Sequence, residues 1–391
     1  MDQPKRASEK STRNLRVLHV IESLGVAGAE QSLVNLLPYL TKHGVDCEVA
    51  ALSSPYDLAP PLREQGIAVH ELDISSRWKF VRGAVRLRDI IRKGEFDLVH
   101  AHLPGAVFYV AIVGGHAPAI ASFHGLSFEF HPANTLLRKL RRSAERWLTN
   151  HRILGYIAVS NAVAEHYHEI LGVPLGRIRI ITNGFPTQVL RPNPSLDIRH
   201  IRQRFGVDPE DFLIVSAGRF VSQKGHTHLL SALSLLRERG LTPRVLLFGK
   251  GGLQPSLEQR VRDLGLSRQV ALLSAITHQD LVDLFQASDV FVFPSTSEGF
   301  GMAAGEAMCV GLPVVATDIP GIASLIENEV SGILVAPGDP EALAKQIERV
   351  ISDSKLRRTL SIAGRERIID HFSLEWVTAQ VAEFYRELFI T

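Results

Sequence analysis

The sequence predicts an α/β fold of two doubly wound domains, each a parallel sheet covered by helices. Three observations point there. Short runs rich in Val, Ile and Leu alternate with amphipathic segments from residue 15 onward, the pattern of parallel strands buried on both faces. The stretch from Asn183 to Pro194, with three prolines and no periodicity, interrupts that alternation, which then restarts. The chain has 391 residues, long for one ordinary domain and comfortable for two.

The expected strands of the first half are 15–21, 46–52, 68–72, 97–100, 119–123, 156–159 and 178–181, with helical patterns such as 29–42 and 136–150 between them. In the second half they are 212–217, 244–248, 269–273, 290–293, 313–316 and 332–335, separated by helices such as 226–239 and 281–287. The expected division is a disordered tail over 1–14, one domain over 15–185 and a second over 186–373, with the last helix (374–391) packing back on the first. Ligands of such sheets bind beyond the carboxyl ends of the strands. Two such domains facing each other would form a cleft there.

Composition removes several classes. Hydrophobic residues at 45% can fill two cores, and a net charge of +2 gives no ground for bulk nucleic-acid binding. The two cysteines, Cys47 and Cys309, lie far apart in sequence and support neither a disulfide framework nor a cysteine zinc site. Residues 1–14 are polar and hold no signal-peptide core, while the apolar run 106–122 is broken by Gly114, Gly115, His116 and Pro118 and is too short to span a bilayer. A cytoplasmic protein is expected.

Three loops carry chemistry. Glu298-Gly-Phe-Gly-Met-Ala-Ala-Gly-Glu306 follows the strand 290–293 and leads into a helix starting near Gly301. Its glycines allow close backbone approach to a ligand, and the helix start offers unpaired N–H groups to an anion. Glu298 and Glu306 can address different ends of one extended ligand, and carboxylates accept hydrogen bonds from sugar or ribose hydroxyls. Gly218-Arg219-Phe-Val-Ser-Gln-Lys224-Gly225 follows the strand 212–217 and places two cations at a strand end, where they suit a diphosphate. Gly25-Val-Ala-Gly28-Ala-Glu30 follows the first strand; it lacks the G-x-G-x-x-G dinucleotide fingerprint, and Gly28 would let phosphates approach the next helix. Among the histidines, His100, His102, His166 and His168 read as loop or cleft lining. A metal site at the His100-x-His102 pair has no third ligand in the sequence.

Taken together, these residues resemble family 4 of the retaining GT-B glycosyltransferases, over nearly the whole chain from Leu15 to the last helix. The resemblance rests on Gly28-Ala-Glu30, His124-Gly125, Ser160-Asn161, Asn183-Gly184, Gly218-Arg219 with Lys224-Gly225, Glu298-x7-Glu306, and Thr317-Asp318-Ile-Pro-Gly321 with Glu327 and Gly332. It implies a GT-B architecture, two Rossmann-like domains facing across a cleft. Arg219 and Lys224 would then bind the donor diphosphate, and Glu306 the ribose. Glu298 with the backbone at Gly299, Phe300 and Gly301 would hold the donor sugar. Gly28 would approach the diphosphate, Asn183 and Gly249 would belong to the donor site, and His124 would sit near the reacting carbon. The resemblance also implies retention of anomeric configuration and no metal or other cofactor, in keeping with the lack of an Asp-x-Asp motif. The sequence departs from the family pattern at Ala27-Gly28, where Gly-Gly is frequent, at Ser222-Gln223, where Pro-Glu is frequent, and at Ser274, where Gly is frequent.

The implied reaction transfers a hexosyl unit from a nucleoside diphosphate sugar, a UDP-sugar before a GDP-sugar, to a glycan or lipid-linked acceptor in cell-surface polysaccharide or glycolipid synthesis. Glu298 and Glu306 come from one loop and helix, so they do not flank a glycosidic bond as a hydrolase pair would. Basic stretches with tryptophan, Arg77–Arg82 through Arg92-Lys93 and Arg138–Arg142 with Arg146 and Trp147, suit an anionic membrane surface. A sugar-nucleotide epimerase of the same fold and a non-catalytic nucleotide-sugar binder are the competing readings.

Overall fold

The computed structural model describes residues 13–74, 77–113, 115–126, 143, 146–274 and 276–389. They form two compact units. Unit 1 comprises the residues up to Gly184 and those from Leu374 on, and unit 2 runs from Phe185 to Ser373.

Unit 1 is built on seven parallel strands: β1 (Leu15–Ile21), β2 (Val45–Ala51), β3 (Ala68–Glu71), β4 (Leu98–His102), β5 (Ala119–Phe123), β6 (Gly155–Ala158) and β7 (Ile178–Ile180), in spatial order β3-β2-β1-β4-β5-β6-β7. Unit 2 repeats the plan with six: β8 (Leu213–Ala217), β9 (Arg244–Phe248), β10 (Val270–Leu273), β11 (Val290–Phe293), β12 (Val314–Thr317) and β13 (Ile333–Val335), ordered β10-β9-β8-β11-β12-β13. The central strands β4, β5, β8, β11 and β12 are buried along their whole length. Helices cover both faces of such a sheet, so an unbroken apolar run such as Val-Phe-Val-Phe in β11 finds packing on either side.

Strand order reverses between β1 and β4 in unit 1 and between β8 and β11 in unit 2. The loops leaving these strands on the carboxyl side diverge there and leave a crevice for a ligand. The three loops singled out above follow β1, β8 and β11.

The last helix, Leu374–Glu387, completes the core of unit 1. Leu374, Val377, Val381, Ala382 and Tyr385 are buried, at the spacing that lines one face of a helix. Val377, Val381, Ala382 and Tyr385 join Leu33, Leu37, Ile120 and Ile157 in one hydrophobic cluster. Each large side chain buried in this way contributes about 1.5–3 kcal/mol.

Several expectations meet detail here. Arg13 and Asn14, placed in the tail, pair with Asp97 and Asp46. The proline-rich stretch is packed: Phe185, Thr187 and Leu190 are buried, and Phe185 N–H donates to the Phe372 carbonyl. Most of the expected helix 136–150 and the basic run 138–142 lie outside the described residues. Cys47 and Cys309 are buried free thiols whose pKa values burial pushes up.

Candidate functional site

Unit 2 carries the denser constellation. β8 ends at Ala217, and the chain turns through Gly218 and the exposed Arg219 into a single 3-10 turn, Ser222–Lys224. Gly225 follows with φ +63°, and a Cβ there would stand 1.9 Å from the Pro294 carbonyl oxygen. Only glycine lets this loop pass so close to the loop after β11. The two loops are also tied by the Thr296 N–H donating to the Gln223 carbonyl at 2.8 Å. Gly249, at φ +159°, closes on the Gly218 carbonyl in the same way, with a would-be Cβ at 1.9 Å.

These contacts bring Lys224 to Glu298. Lys224 Nζ lies 2.5 Å from Glu298 Oε1, and the Ser295 hydroxyl donates to the same oxygen at 2.7 Å. The side chains are 16% and 13% exposed, so the pair is largely desolvated and its attraction exceeds that of a surface pair. Lys224 Nζ also stands 5.3 Å from the Phe293 ring centre. Both donors land on Oε1, which leaves Glu298 Oε2 able to accept.

Helix Met302–Cys309 starts at Gly301, which is at φ +94° and gives its first turn no side-chain cap. Uncapped amides at a helix start carry partial positive charge. One turn in, Glu306 Oε1 faces His278 Nε2 at 3.3 Å, and this contact raises the pKa of His278. The Phe300 side chain is buried beside Phe185 and Phe372. Its ring is a core element, and only its backbone remains for the donor-binding place expected of it. Gly299 is buried, and a Cβ on Gly321 would meet the Glu298 carbonyl at 2.2 Å.

Unit 1 places its residues around the β1–β4 reversal. Gly28 is exposed at the start of helix Gly28–Thr41, whose N-cap, Ala27, offers no side-chain bond. Glu30 lies in the same first turn; burial and the nearby Glu22 raise its pKa. An anion at Gly28 would meet these two carboxylates as well as the helix amides, a cost that the glycine pattern does not reveal. Asn183 is buried, and its Oδ1 accepts from the Ser32 hydroxyl at 2.9 Å.

The histidines correct the sequence reading most. His100 and His102 are not in a loop: both lie inside β4, almost fully buried, and line one small cavity with His124. The parallel register sets His19 beside His100, and His102 beside Ser122. His19 Nδ1 lies 3.0 Å from His102 Nε2, and His102 Nδ1 lies 3.2 Å from His124 Nε2. His100 is held separately, by the Tyr385 hydroxyl at 2.6 Å and Ser122 Oγ at 2.7 Å. Burial lowers all four pKa values, to about 3 for His19, about 4 for His124, and well below the usual value for His100 and His102. The rings are therefore neutral near pH 7. His19, His100 and His102 bring candidate metal ligands within 4.8 Å of one another, so a third ligand does exist, invisible in the sequence. Both nitrogens of His100 and the facing nitrogens of His19 and His102 lie within hydrogen-bond distance of a partner. His166 and His168 sit on helix Asn161–Leu171, away from this group in sequence and strand register.

His278, Ser295, Gln223, His19 and Tyr385 were missed by sequence reasoning. A signal existed for His278, which follows Thr277 in a Thr-x-x-Asp capping box that marks a helix start. Ser295 lies three residues before its partner Glu298, whereas Gln223, His19 and Tyr385 meet their partners only through the fold.

Comparison with known proteins agrees with this geometry. The model described as "Glycosyl transferases group 1" matches residues 197–367, and "Glycosyltransferase Family 4" matches 26–189. An uncharacterized glycosyltransferase of Methanocaldococcus jannaschii is 26% identical over 352 residues, covering 87% of this chain and 89% of that protein. D-inositol 3-phosphate glycosyltransferase of Rhodococcus erythropolis is 28% identical, covering 89% of this chain and 84% of its own length. The crystal structure of Anabaena Alr3699/HepE with UDP-glucose superposes with a TM-score of 0.81 at 25% identity, covering 96% of this chain and all of that one. A glycosyltransferase of Rickettsia africae shares the fold, with a TM-score of 0.81 at 22% identity, 96% of this chain and 99% of that one. Two family models meeting at the linker, over two parallel-sheet units with their loops at the strand reversals, place this chain among the GT-B glycosyltransferases of family 4.

Proposed function

We propose that this enzyme is a retaining, metal-independent hexosyltransferase that uses a UDP-sugar, with a GDP-sugar as the next choice, and a glycan or lipid-linked acceptor. The observation that carries the reading is the Lys224–Glu298–Ser295 cluster, whose lysine shares its loop with Arg219. In this reading Arg219 and Lys224 bind the diphosphate, and the free oxygen of Glu306 takes the ribose. Glu298 Oε2 and the amides of Gly299–Gly301 take the sugar hydroxyls, and the bare backbone at Gly249 lets the nucleotide lie close. In unit 1, Gly28 is assigned to the diphosphate, and Asn183 and His124 to the donor sugar. The UDP-glucose bound by the Anabaena relative favours UDP.

In this mechanism the acceptor hydroxyl attacks C1 on the face the diphosphate leaves. The C1–O bond to the diphosphate breaks, the new C1–O bond forms, and the acceptor proton passes to a diphosphate oxygen. Arg219 and Lys224 stabilise the negative charge that develops there, where fixed cations act most strongly on the transition state. The leaving group is a weak base, so no protein general acid is required.

The test is titration with UDP, GDP and ADP and their glucose conjugates, followed by turnover of the preferred donor. Arg219→Ala/Lys224→Ala should bind nucleoside diphosphate at least tenfold more weakly and lose about a hundredfold or more in turnover. Wild-type turnover in that double variant overturns the assignment.

Membrane association belongs to the same proposal. Helix Arg77–Gly94 exposes Val81 (68%) and Val85 (57%) one turn apart, beside the exposed Arg82 and Arg86. Trp147 is 61% exposed. Apolar side chains among cations suit an anionic headgroup layer. No helix among the described residues is long and apolar enough to cross a membrane. Flotation with phosphatidylglycerol vesicles should carry the protein, and phosphatidylcholine vesicles should not; no flotation with either removes this part.

A further inference from the structure

We infer, on the reading that Glu306 takes the ribose, that His278 is a positioning residue for nucleotide recognition. It holds one carboxylate oxygen of Glu306 and leaves the other set to accept from a ribose hydroxyl.

A glutamate is among the side chains that lose most rotamer freedom on being ordered. One that met the ribose unaided would be ordered at the expense of affinity, whereas one already held binds without that loss. Glu306 is held: its Oε1 lies 3.3 Å from His278 Nε2, its one side-chain partner among the described residues. A carboxylate only accepts, so Nε2 is the donor. The neutral ring protonated on Nε2 and the imidazolium both donate from that atom, so the hold does not require charge. The contact also raises the pKa of His278, as a facing carboxylate should.

Exposure sets this pair apart from an ordinary surface pair. The Glu306 side chain is 13% exposed and that of His278 is 52% exposed. The carboxylate is the shielded member, and it takes its direction from a ring at the solvent edge.

The place of His278 is itself fixed. It is the first residue of helix His278–Gln286, which follows β10. The Thr277 hydroxyl accepts from the Asp280 N–H at 3.1 Å, and Asp280 Oδ2 accepts from the Thr277 N–H at 3.3 Å. Arg204 Nη2 donates to Asp280 Oδ1 at 2.6 Å, which ties this capping box to helix Ile198–Arg204. Val282, Leu284 and Phe285 anchor the inner face of the helix in the core. The backbone that carries the imidazole is thus held at its cap and along its buried face, as a group that must aim another requires.

The work of recognition is then divided. Glu306 Oε2 reads a ribose hydroxyl, and His278 keeps that oxygen in place without touching the nucleotide. Removing His278 should therefore weaken discrimination between ribose and deoxyribose, and should leave the contribution of the diphosphate unchanged.

The experiment is calorimetric titration of the full chain with UDP, 2′-deoxy-UDP and 3′-deoxy-UDP, with the guanosine set run alongside. Wild type should prefer the ribonucleotide over at least one deoxy analogue by about tenfold or more. Glu306→Ala should abolish that preference. His278→Leu should shrink it to within about threefold, with the affinity for that deoxy analogue unchanged. His278→Gln, whose amide nitrogen reaches the place of Nε2, should retain it. Preference lost in Glu306→Ala and kept in full in His278→Leu overturns the proposal alone. No preference in the wild type, or one unchanged in Glu306→Ala, overturns the ribose reading and the proposal with it. Should the Leu variant fail to fold, His278→Asn, whose shorter amide falls short of Glu306, must lose the preference that His278→Gln keeps; equal preference in the two overturns the proposal.

Discussion

Tyr385 donates or accepts a 2.6 Å hydrogen bond with His100 across 285 positions of sequence, joining the last helix to the fourth strand in the core of unit 1. The His100 ring has its other nitrogen on Ser122, so both its polar atoms are satisfied without water. Tyr385→Phe removes the hydroxyl and leaves one buried ring nitrogen unpaired. The expected cost is about 1–3 kcal/mol of stability, read as a lower midpoint in urea with an unchanged slope. A midpoint equal to wild type would mean that water reaches the ring.

Gly225 and Gly240 both hold positive φ, at +63° and +80°, yet only Gly225 has a carbonyl where its Cβ would be. Each alanine should introduce backbone strain of about 1–3 kcal/mol. Gly225→Ala must in addition displace the loop that carries Lys224. Calorimetric titration should show UDP binding weakened at least tenfold in Gly225→Ala and nearly unchanged in Gly240→Ala. Equal effects on UDP would contradict the packing of that loop.

Acid should unfold unit 1 early. His19 and His124 titrate at about 3 and about 4 in the native state, and His100 and His102 well below their usual value, all chiefly through burial. In the unfolded chain they protonate near pH ~6.5. The unfolded state therefore binds more protons below that pH, and stability falls as pH drops from about 6.5 towards the native values. Each independently titrating ring contributes a slope of about 1.4 kcal/mol per pH unit in that window. Calorimetry between about pH 7 and pH 5 should show a steep fall in Tm; a flat profile would put water in the cluster.

Phe300 offers a sharper contrast with Glu298. Its ring packs on Phe185 and Phe372, with centroid distances of 6.1 and 5.7 Å. Phe300→Leu should lower stability by a fraction of the about 3–5 kcal/mol that full truncation of a buried phenylalanine costs, and leave UDP-glucose affinity within about threefold. Glu298→Gln should do the reverse. A tenfold loss of affinity in Phe300→Leu without loss of stability would make the ring a ligand contact.

The sheets were legible because parallel strands buried on both faces need continuous apolar runs, and β1, β5, β9 and β11 match their expected limits. The loops after β8 and β11 were legible for a related reason: Gly225, Gly249 and Gly301 occur where the backbone demands a residue without Cβ. The histidine chain was not. Its members sit on β1, on β4 and just after β5, and only the register of β1 with β4 makes His19 a neighbour of His100 and His102. Local pattern carries no record of which strands adjoin. Phe300 was named for its backbone; that its ring packs on Phe185 and Phe372 was not legible, since a loop motif fixes where the backbone runs but not which way an aromatic ring turns. Glu306 was named without its partner, because His278 belongs to the preceding helix and approaches it only in space.

The assignment of the closing helix to unit 1 reverses the order in which the two halves can mature. Unit 2 is one uninterrupted stretch, Phe185–Ser373, and has all its strands once that stretch has left the ribosome. The strands of unit 1 are made before those of unit 2, but that unit lacks Val377, Val381 and Tyr385 until the helix Leu374–Glu387 emerges. Its sheet must wait for that helix through the synthesis of everything between, so the half whose strands come earlier is the later to acquire its native core.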